Sequence, residues 1–239
     1  MFKMTNLGFP KIDKFRAKFL LETIENLKED LKKINVTLII KIGDPVEELT
    51  KIISQQKIKN IFFQKEWTQE EVDEEDQLKS KCNDKNFKSF YSQFLYDPDD
   101  LDINNISNVF TNFRKHCEKK LKVKDLVESP KKLLEDNLLK DDYLIPSLSD
   151  LGLEDFEMDS RSAFKFKGGC NAAKERLDFY MWQSKKINFY KQTRNGLIGQ
   201  DYSSKFSSWL SNGSISAREI FWEIKDYEKN ILKNQSTYW

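Results

Sequence analysis

Helix-like and strand-like segments alternate along the first hundred residues, and that alternation limits the fold more than any other feature of the chain. From Phe15 to Ile34 the apolar residues Ala17, Leu20, Leu21, Ile24, Leu27, Leu31 and Ile34 recur mostly at steps of three and four, the period of an amphipathic helix. Asn35 ends it. Val36 to Ile40 is a short run of β-branched and aliphatic residues, which predicts a buried parallel strand. Gly43-Asp44-Pro45 turns the chain, with Asp44 as cap and Pro45 as first residue of a helix to about Gln55. Asn60 to Phe63 predicts a second buried strand. Thr68 with Glu71 reads as a capping box opening an acidic helix to about Cys82. Phe87 to Leu95 predicts a third strand. This order is that of a doubly wound α/β domain with a parallel sheet. In such sheets ligands bind outside the carboxyl ends of the strands. Gln64-Lys65-Glu66-Trp67 falls at such an end, although by its residue type alone Glu66 reads as one more surface carboxylate.

Composition excludes several classes. The chain has 239 residues, 40 basic and 39 acidic, so no global field draws it to nucleic acid and any such contact must be local. An aromatic share of 13%, with 18 phenylalanines, argues for a packed core despite 33% charged residues. Cys82, Cys117 and Cys170 are scattered, which points to a reducing compartment and away from a disulfide framework or a CxxC metal site. His116 is the only histidine, so no site needing two histidine ligands is expected. No apolar run reaches membrane-spanning length and no signal peptide opens the chain; a cytoplasmic protein without membrane contact is expected.

Tyr96 to Asp100 reads as a turn, and Asn108 to about Lys119 as a short helix with Val109, Phe110 and Phe113 on one side. From Lys122 to Phe166 the periodicity dissolves, as in a linker wrapping over a surface. The pairs Asp141-Asp142 and Glu154-Asp155 have no partner there for acid–base work and read as solvated. Gly168-Gly169 precedes a helix from about Asn171 to Trp182, with Ala172, Ala173, Arg176, Leu177 and Tyr180 at helical steps. No strand leads into the glycines and no GxGxxG follows, so this is not a dinucleotide fingerprint. Asn188 to Ser216 then holds three of the eight glycines and seven serines, a content that no continuous helix tolerates. It reads as a helix end at Tyr190–Thr193, a turn at Arg194-Asn195-Gly196, a loop, and a new helix starting within Ser203–Ser207. Backbone N–H groups at that start, with serine hydroxyls and Lys205, would suit an anion. The plainer alternative is that Ser203 or Ser204 is only an N-cap and the glycines only turns. Ala217 to about Leu232 predicts a final helix with Ile220, Phe221, Ile224, Tyr227 and Ile231 as its apolar stripe.

The same residues carry a resemblance. Tyr190-x-x-x-Arg194-Asn195-Gly196, Asp201-Tyr202-Ser203-Ser204-Lys205-Phe206-Ser207, Leu210-Ser211-Asn212-Gly213-Ser214-Ile215-Ser216 and the closing Ser236-Thr237-Tyr238-Trp239 resemble the photolyase/cryptochrome family, and its cryptochrome DASH branch most. The run GFPKIDKFRAKFLLE from Gly8, Lys41-Ile42-Gly43-Asp44-Pro45, the KEWTQEE run, VFTNFRK and the pattern from Gly168-Gly169 to Leu177 are similar to that family as well. The resemblance implies an α/β antenna domain over 1–100, an interdomain linker over 101–167 and the start of an all-α flavin-binding domain over 168–239. It implies FAD held at Tyr190, Ser203, Ser204, Lys205, Phe206, Ser207 and Trp239. A methenyltetrahydrofolate antenna is implied at Glu66, and DNA contact at Arg194. The implied activity is that of a deoxyribodipyrimidine photo-lyase: light-driven, flavin-dependent repair of cyclobutane pyrimidine dimers, preferably in single-stranded DNA, by a monomer. A blue-light photoreceptor that binds FAD and DNA without repair, and an inactive truncated remnant, are the alternatives. The family's first strand with its WFRNDLR-like motif, and everything beyond Trp239, have no counterpart here. The chain is therefore expected to be an interior fragment with an incomplete sheet, inactive by itself, whose electron-transfer and lesion-contacting residues lie elsewhere.

Overall fold

The computed structural model describes residues 8–140 and 143–231. They fall into two compact units, Ile39–Lys124 and a second made of Met1–Leu38 with Asp125–Trp239.

The first helix, α1 (Lys14–Lys33), starts where Asp13 accepts from the Lys14 N–H at 2.6 Å and ends with Lys32 and Lys33 in its last turn, where cations suit the exposed carbonyls. Asn35 follows in the left-handed conformation, φ 59°, which asparagine tolerates better than most residues. Its Nδ2 donates to the Leu133 carbonyl at 2.7 Å.

The sheet unit is built on α2 (Pro45–Gln55), β1 (Asn60–Gln64), α3 (Gln69–Lys81) and β2 (Asn86–Phe90). Asp44 caps α2 by accepting from the Glu47 N–H at 3.0 Å, with Pro45 in the first turn, as expected. β1 and β2 pair in parallel, Asn60 opposite Asn86 through Gln64 opposite Phe90. Val46, Ile53, Leu78 and Cys82 form the core, and Ile58, Ile61 and Phe87 pack against it. Side chains alternate across a strand, so this core takes only one face of the sheet. On the other face Phe62 and Phe90 are exposed and stack with ring centroids 6.4 Å apart.

Four expectations need correction here. Val36–Ile40 is extended but is not a strand, because among the described residues only β1 and β2 exchange ladder bonds. Its neighbourhood is engaged by the linker instead: the Ile34 carbonyl accepts from Leu133 N–H at 2.9 Å and the Thr37 hydroxyl from Leu139 N–H at 2.9 Å. The Asn60 strand is buried on one face rather than two. The third strand stops at Phe90, because Tyr91 and Phe94 turn to pack on Trp67 at 5.3 and 4.8 Å. Thr68 is the N-cap of α3 but its side chain makes no cap bond, so the capping box is not formed. The helix after the sheet, α4 (Phe110–Lys120), buries Cys117, while Phe110 is 73% exposed; the Val109/Phe110 side covers no core.

In the helical unit, α5 (Cys170–Asp178) runs into a π-helical turn, Phe179–Gln183, rather than continuing as α-helix to Trp182. The Ser184 N–H and hydroxyl both close on the Phe179 carbonyl at 2.8 Å, an added residue in the turn of the kind often found near functional sites. The short helices α6 (Tyr190–Thr193) and α7 (Ser207–Ser211) and the longer α8 (Ala217–Asn230) complete the unit. Ala173, Leu177, Tyr180, Met181, Phe206, Trp209, Ile215 and Tyr227 make the core, with Ile220 and Ile224 of the α8 stripe against it. The helix α1 belongs here. Gly168 and Gly169 let it come close: a Cβ on Gly168 would lie 2.0 Å from the Phe19 carbonyl, and one on Gly169, φ +99°, 2.6 Å from Asn26 Oδ1. Into that gap Glu22 accepts from the Gly168 N–H at 2.7 Å and Asn26 from the Asn171 N–H at 2.9 Å, so α1 side chains cap the start of α5.

Candidate functional site

The segment rich in glycine and serine folds as two short helices and a loop. α6 ends at the Arg194 N–H, which donates to the Tyr190 carbonyl at 2.9 Å. Gly196 then packs so closely that a Cβ would lie 3.1 Å from both the Thr193 carbonyl and Tyr202 Cβ, which brings the Arg194-Asn195-Gly196 turn against the loop. An open cavity of about 620 Å³ lies there, between Phe189 and Thr193 on one side and Ile198, Gln200, Asp201 and Tyr202 on the other.

The new helix begins at Ser207, not earlier. Phe206 is its N-cap residue and no side chain caps it, so neither Ser203 nor Ser204 serves as an N-cap. Instead the loop before it is held from inside by Arg176, whose side chain is 3% exposed. Its Nε donates to the Ser204 carbonyl at 3.1 Å, Nη1 to Asp201 Oδ1 at 2.7 Å, and Nη2 to the carbonyls of Gln200 and Ser203 at 3.2 and 3.1 Å. The guanidinium carbon lies 4.9 to 5.6 Å from the ring centres of Phe166, Tyr180 and Phe179. A buried charge is tolerated when paired and hydrogen-bonded, and here Asp201 pairs it while every guanidinium nitrogen has an acceptor. By its spacing alone Arg176 is one more helical step. The available signal is an arginine beside Ala173 and Leu177 on the apolar face of α5, with Tyr180 following in the π-helical turn.

The expected flavin residues sit on this unit, each in its own setting. Tyr190 opens α6 and is 38% exposed. Ser203 and Ser204 are half-buried in the loop. Lys205 takes a left-handed backbone, φ 65°, and its Nζ sits 3.5 Å from the Tyr202 ring centre, a cation–π contact. Phe206 points into the core, 6.1 Å from the Tyr180 ring, so only its backbone is available to a ligand. Ser207 and Arg194 are exposed. Trp239 lies outside the described residues, as do Ser236, Thr237 and Tyr238.

Glu66 belongs to the other unit, just beyond the carboxyl end of β1. It is half-buried and one carboxylate oxygen accepts from Gln64 Nε2 at 2.5 Å. Around it Ser92 donates to Gln64 Oε1 at 2.6 Å, Gln93 to the Lys65 carbonyl at 2.8 Å, and Trp67 Nε1 to the Tyr91 hydroxyl at 3.1 Å. The Tyr91 hydroxyl beside Lys65 raises that ammonium above its ordinary value. The carboxyl ends of two parallel strands thus carry a set of donors and acceptors next to stacked aromatic rings, Trp67 on Phe94 at 4.8 Å.

The DNA photolyase family model matches residues 2–132. A cryptochrome DASH of Gloeobacter violaceus is 39% identical over 236 residues, covering 97% of this chain and 47% of that protein. One from Xenopus laevis is 38% identical, with 97% and 46% covered. Among solved structures, a Synechocystis cryptochrome superposes with a TM-score of 0.91 at 35% identity, covering 100% of this chain and 50% of that one. A class III photolyase of Agrobacterium tumefaciens, at 21% identity and a TM-score of 0.76, shares the fold. The chain spans about half the length of the curated relatives it matches. Among the described residues no helix is long and apolar enough to cross a membrane.

Proposed function

The chain belongs to the DNA photolyase family, and on that premise we propose that it supplies the antenna domain and the first part of the flavin-binding domain of a light-driven repair enzyme of the cryptochrome DASH type. In this reading residues 1–100 form the antenna domain, 101–167 the connection and 168–239 the start of the flavin domain. The substrate is a cyclobutane pyrimidine dimer, preferably in single-stranded DNA, where extruding the damaged bases costs least.

One observation carries the flavin assignment. The loop from Gln200 to Ser207 offers three serine hydroxyls, Ser203, Ser204 and Ser207, together with Lys205, and Arg176 offsets its only carboxylate, Asp201. That donor set fits a diphosphate, which needs hydrogen-bond donors and no opposing anion. Ser203, Ser204 and the backbone from Lys205 to Ser207 would hold the two phosphates, with Tyr190 beside them; Trp239 is retained from the resemblance alone. The bound flavin would supply the light-excited electron donor. Arg194, exposed at the end of α6, would meet a DNA phosphate with its planar fork. Glu66 keeps one carboxylate oxygen for a pterin N–H of a methenyltetrahydrofolate, since the other already serves Gln64.

Ser203→Asp places an anion against the diphosphate and is expected to abolish FAD retention after desalting in the full-length parent protein, read from its flavin absorbance. Unchanged flavin content in that variant would remove the assignment. Repair is read separately, as light-dependent recovery of pyrimidine absorbance in a dimer-containing oligothymidylate. A flavin-loaded parent protein that binds this strand and leaves it unrepaired is a photoreceptor instead.

A further inference from the structure

We propose that Arg176 is a positioning residue for the flavin diphosphate: by holding three carbonyls of the loop on one side, it turns the opposite N–H groups toward the phosphates. The inference rests on the diphosphate reading above.

The argument is one of peptide geometry. A trans peptide sets its C=O and the following N–H in opposite directions, and the chain has no cis bond among its described residues. The carbonyls of Gln200, Ser203 and Ser204 all point at the Arg176 guanidinium. The N–H groups of Asp201, Ser204 and Lys205 therefore point away from it. Among the described residues none of these three has an acceptor in the protein. Two of them, on Ser204 and Lys205, are consecutive, and the positive φ of Lys205 curves the backbone there. Successive N–H groups in such a curve form a concave anion site. The N–H groups of Asp201, Ser204 and Lys205 do not belong to α7, which has only five residues and begins at Ser207.

The residue type follows from the same geometry. Reaching three carbonyls and a carboxylate at once needs a planar group with donors in fixed directions, which arginine has and lysine lacks. The rings of Phe166, Phe179 and Tyr180 around it fix the plane of the fork. Asp201 cancels its charge inside the unit, so the guanidinium does not itself attract the ligand. Its part is to shape the loop.

The test uses Arg176→Lys in the full chain, with FAD and riboflavin as probes, since riboflavin carries no phosphate. FAD affinity is expected to fall about tenfold or more, the cost of losing one or two charge-assisted bonds, while riboflavin affinity stays within about twofold. Without flavin, backbone amide order parameters from Ser203 to Lys205 are expected to fall from the rigid range to below about 0.6, while α8 stays rigid. Equal losses for the two flavins, or a loop that stays rigid, overturn the proposal and leave Arg176 a packing residue. Unchanged FAD affinity in Arg176→Lys beside a large loss in Ser203→Asp also overturns it, with the diphosphate reading intact. Full FAD affinity in Ser203→Asp, or a full-length parent protein that takes up no FAD, instead sinks the diphosphate reading on which it rests.

Discussion

In the helical unit Trp209, Tyr180, Tyr227, Met181 and Ile215 all lie below 2% exposure. In the sheet unit the best-buried residues are the smaller Val46 and Ile53, each at 4%, while Phe62 and Phe90 stand 62% and 56% exposed. The difference comes from geometry. Helices crossing one another can close a core on all sides. A two-stranded sheet has two faces and two edges, and α2 and α3 supply cover for one face. Large aromatics therefore end up fully enclosed in one unit and half on show in the other.

The largest test of that contrast sets Trp209→Ala against Ile53→Ala. Trp209 packs between Phe19, Phe164 and Phe166 at 6.0, 5.6 and 5.4 Å and donates to the Lys167 carbonyl at 3.0 Å. Its removal is expected to cost about 3–5 kcal/mol, against about 2 kcal/mol for Ile53, whose surroundings can collapse toward solvent. Denaturant unfolding followed by near-ultraviolet circular dichroism measures both. Equal losses would mean that the sheet unit is as well enclosed as the helical one.

A smaller effect is expected at the glycine pair. In Gly168→Ala the new methyl meets the backbone carbonyl of Phe19, which cannot swing aside as a side chain would. Helix α1 must retreat from α5, at about 1–3 kcal/mol, and the bonds from Glu22 and Asn26 should lengthen. An unchanged melting temperature would show that α1 is not held there.

How much of this was legible varies with the range over which each feature is decided. Helices α1 and α2 follow from period and from Asn35 and Asp44, which act within one turn of their own position, and α8 follows from its apolar stripe; its cap at Ser216 is seen only in the structure. The strand at Val36 was not legible as absent, since a strand exists only with a neighbour and the run is apolar whichever way its backbone pairs. The Thr68–Glu71 box failed because the pattern permits a cap bond without requiring one. In the candidate site the loop was visible as a loop, through Gly196, Gly199 and the serines. What holds it was not: Arg176 lies 24 to 28 residues away along the chain from its partners, beyond any local pattern. The resemblance singled out Ser203 to Ser207 by wording, while the burial of Phe206 and the placement of Lys205 over Tyr202 needed coordinates.

The finest test compares two neighbours on one strand. Ile61 and Phe62 differ by one residue and so face opposite sides of the sheet, Ile61 toward the Val46–Ile53 core and Phe62 away from it. Threonine keeps the strand preference at both positions. Ile61→Thr sets a hydroxyl against that core and is expected to cost about 1–2 kcal/mol. Phe62→Thr loses only the stacking on Phe90 and the Lys88 contact, and should cost about 0.5–1 kcal/mol. Bare aromatic rings on a sheet also invite self-association, so Phe62→Thr is expected to raise solubility. Sedimentation at two concentrations separates the outcomes. A cost for Phe62→Thr that matches Ile61→Thr and grows with concentration would mean that a second copy covers this face in solution; a small, concentration-independent cost would mean that the face is open in the chain as it stands.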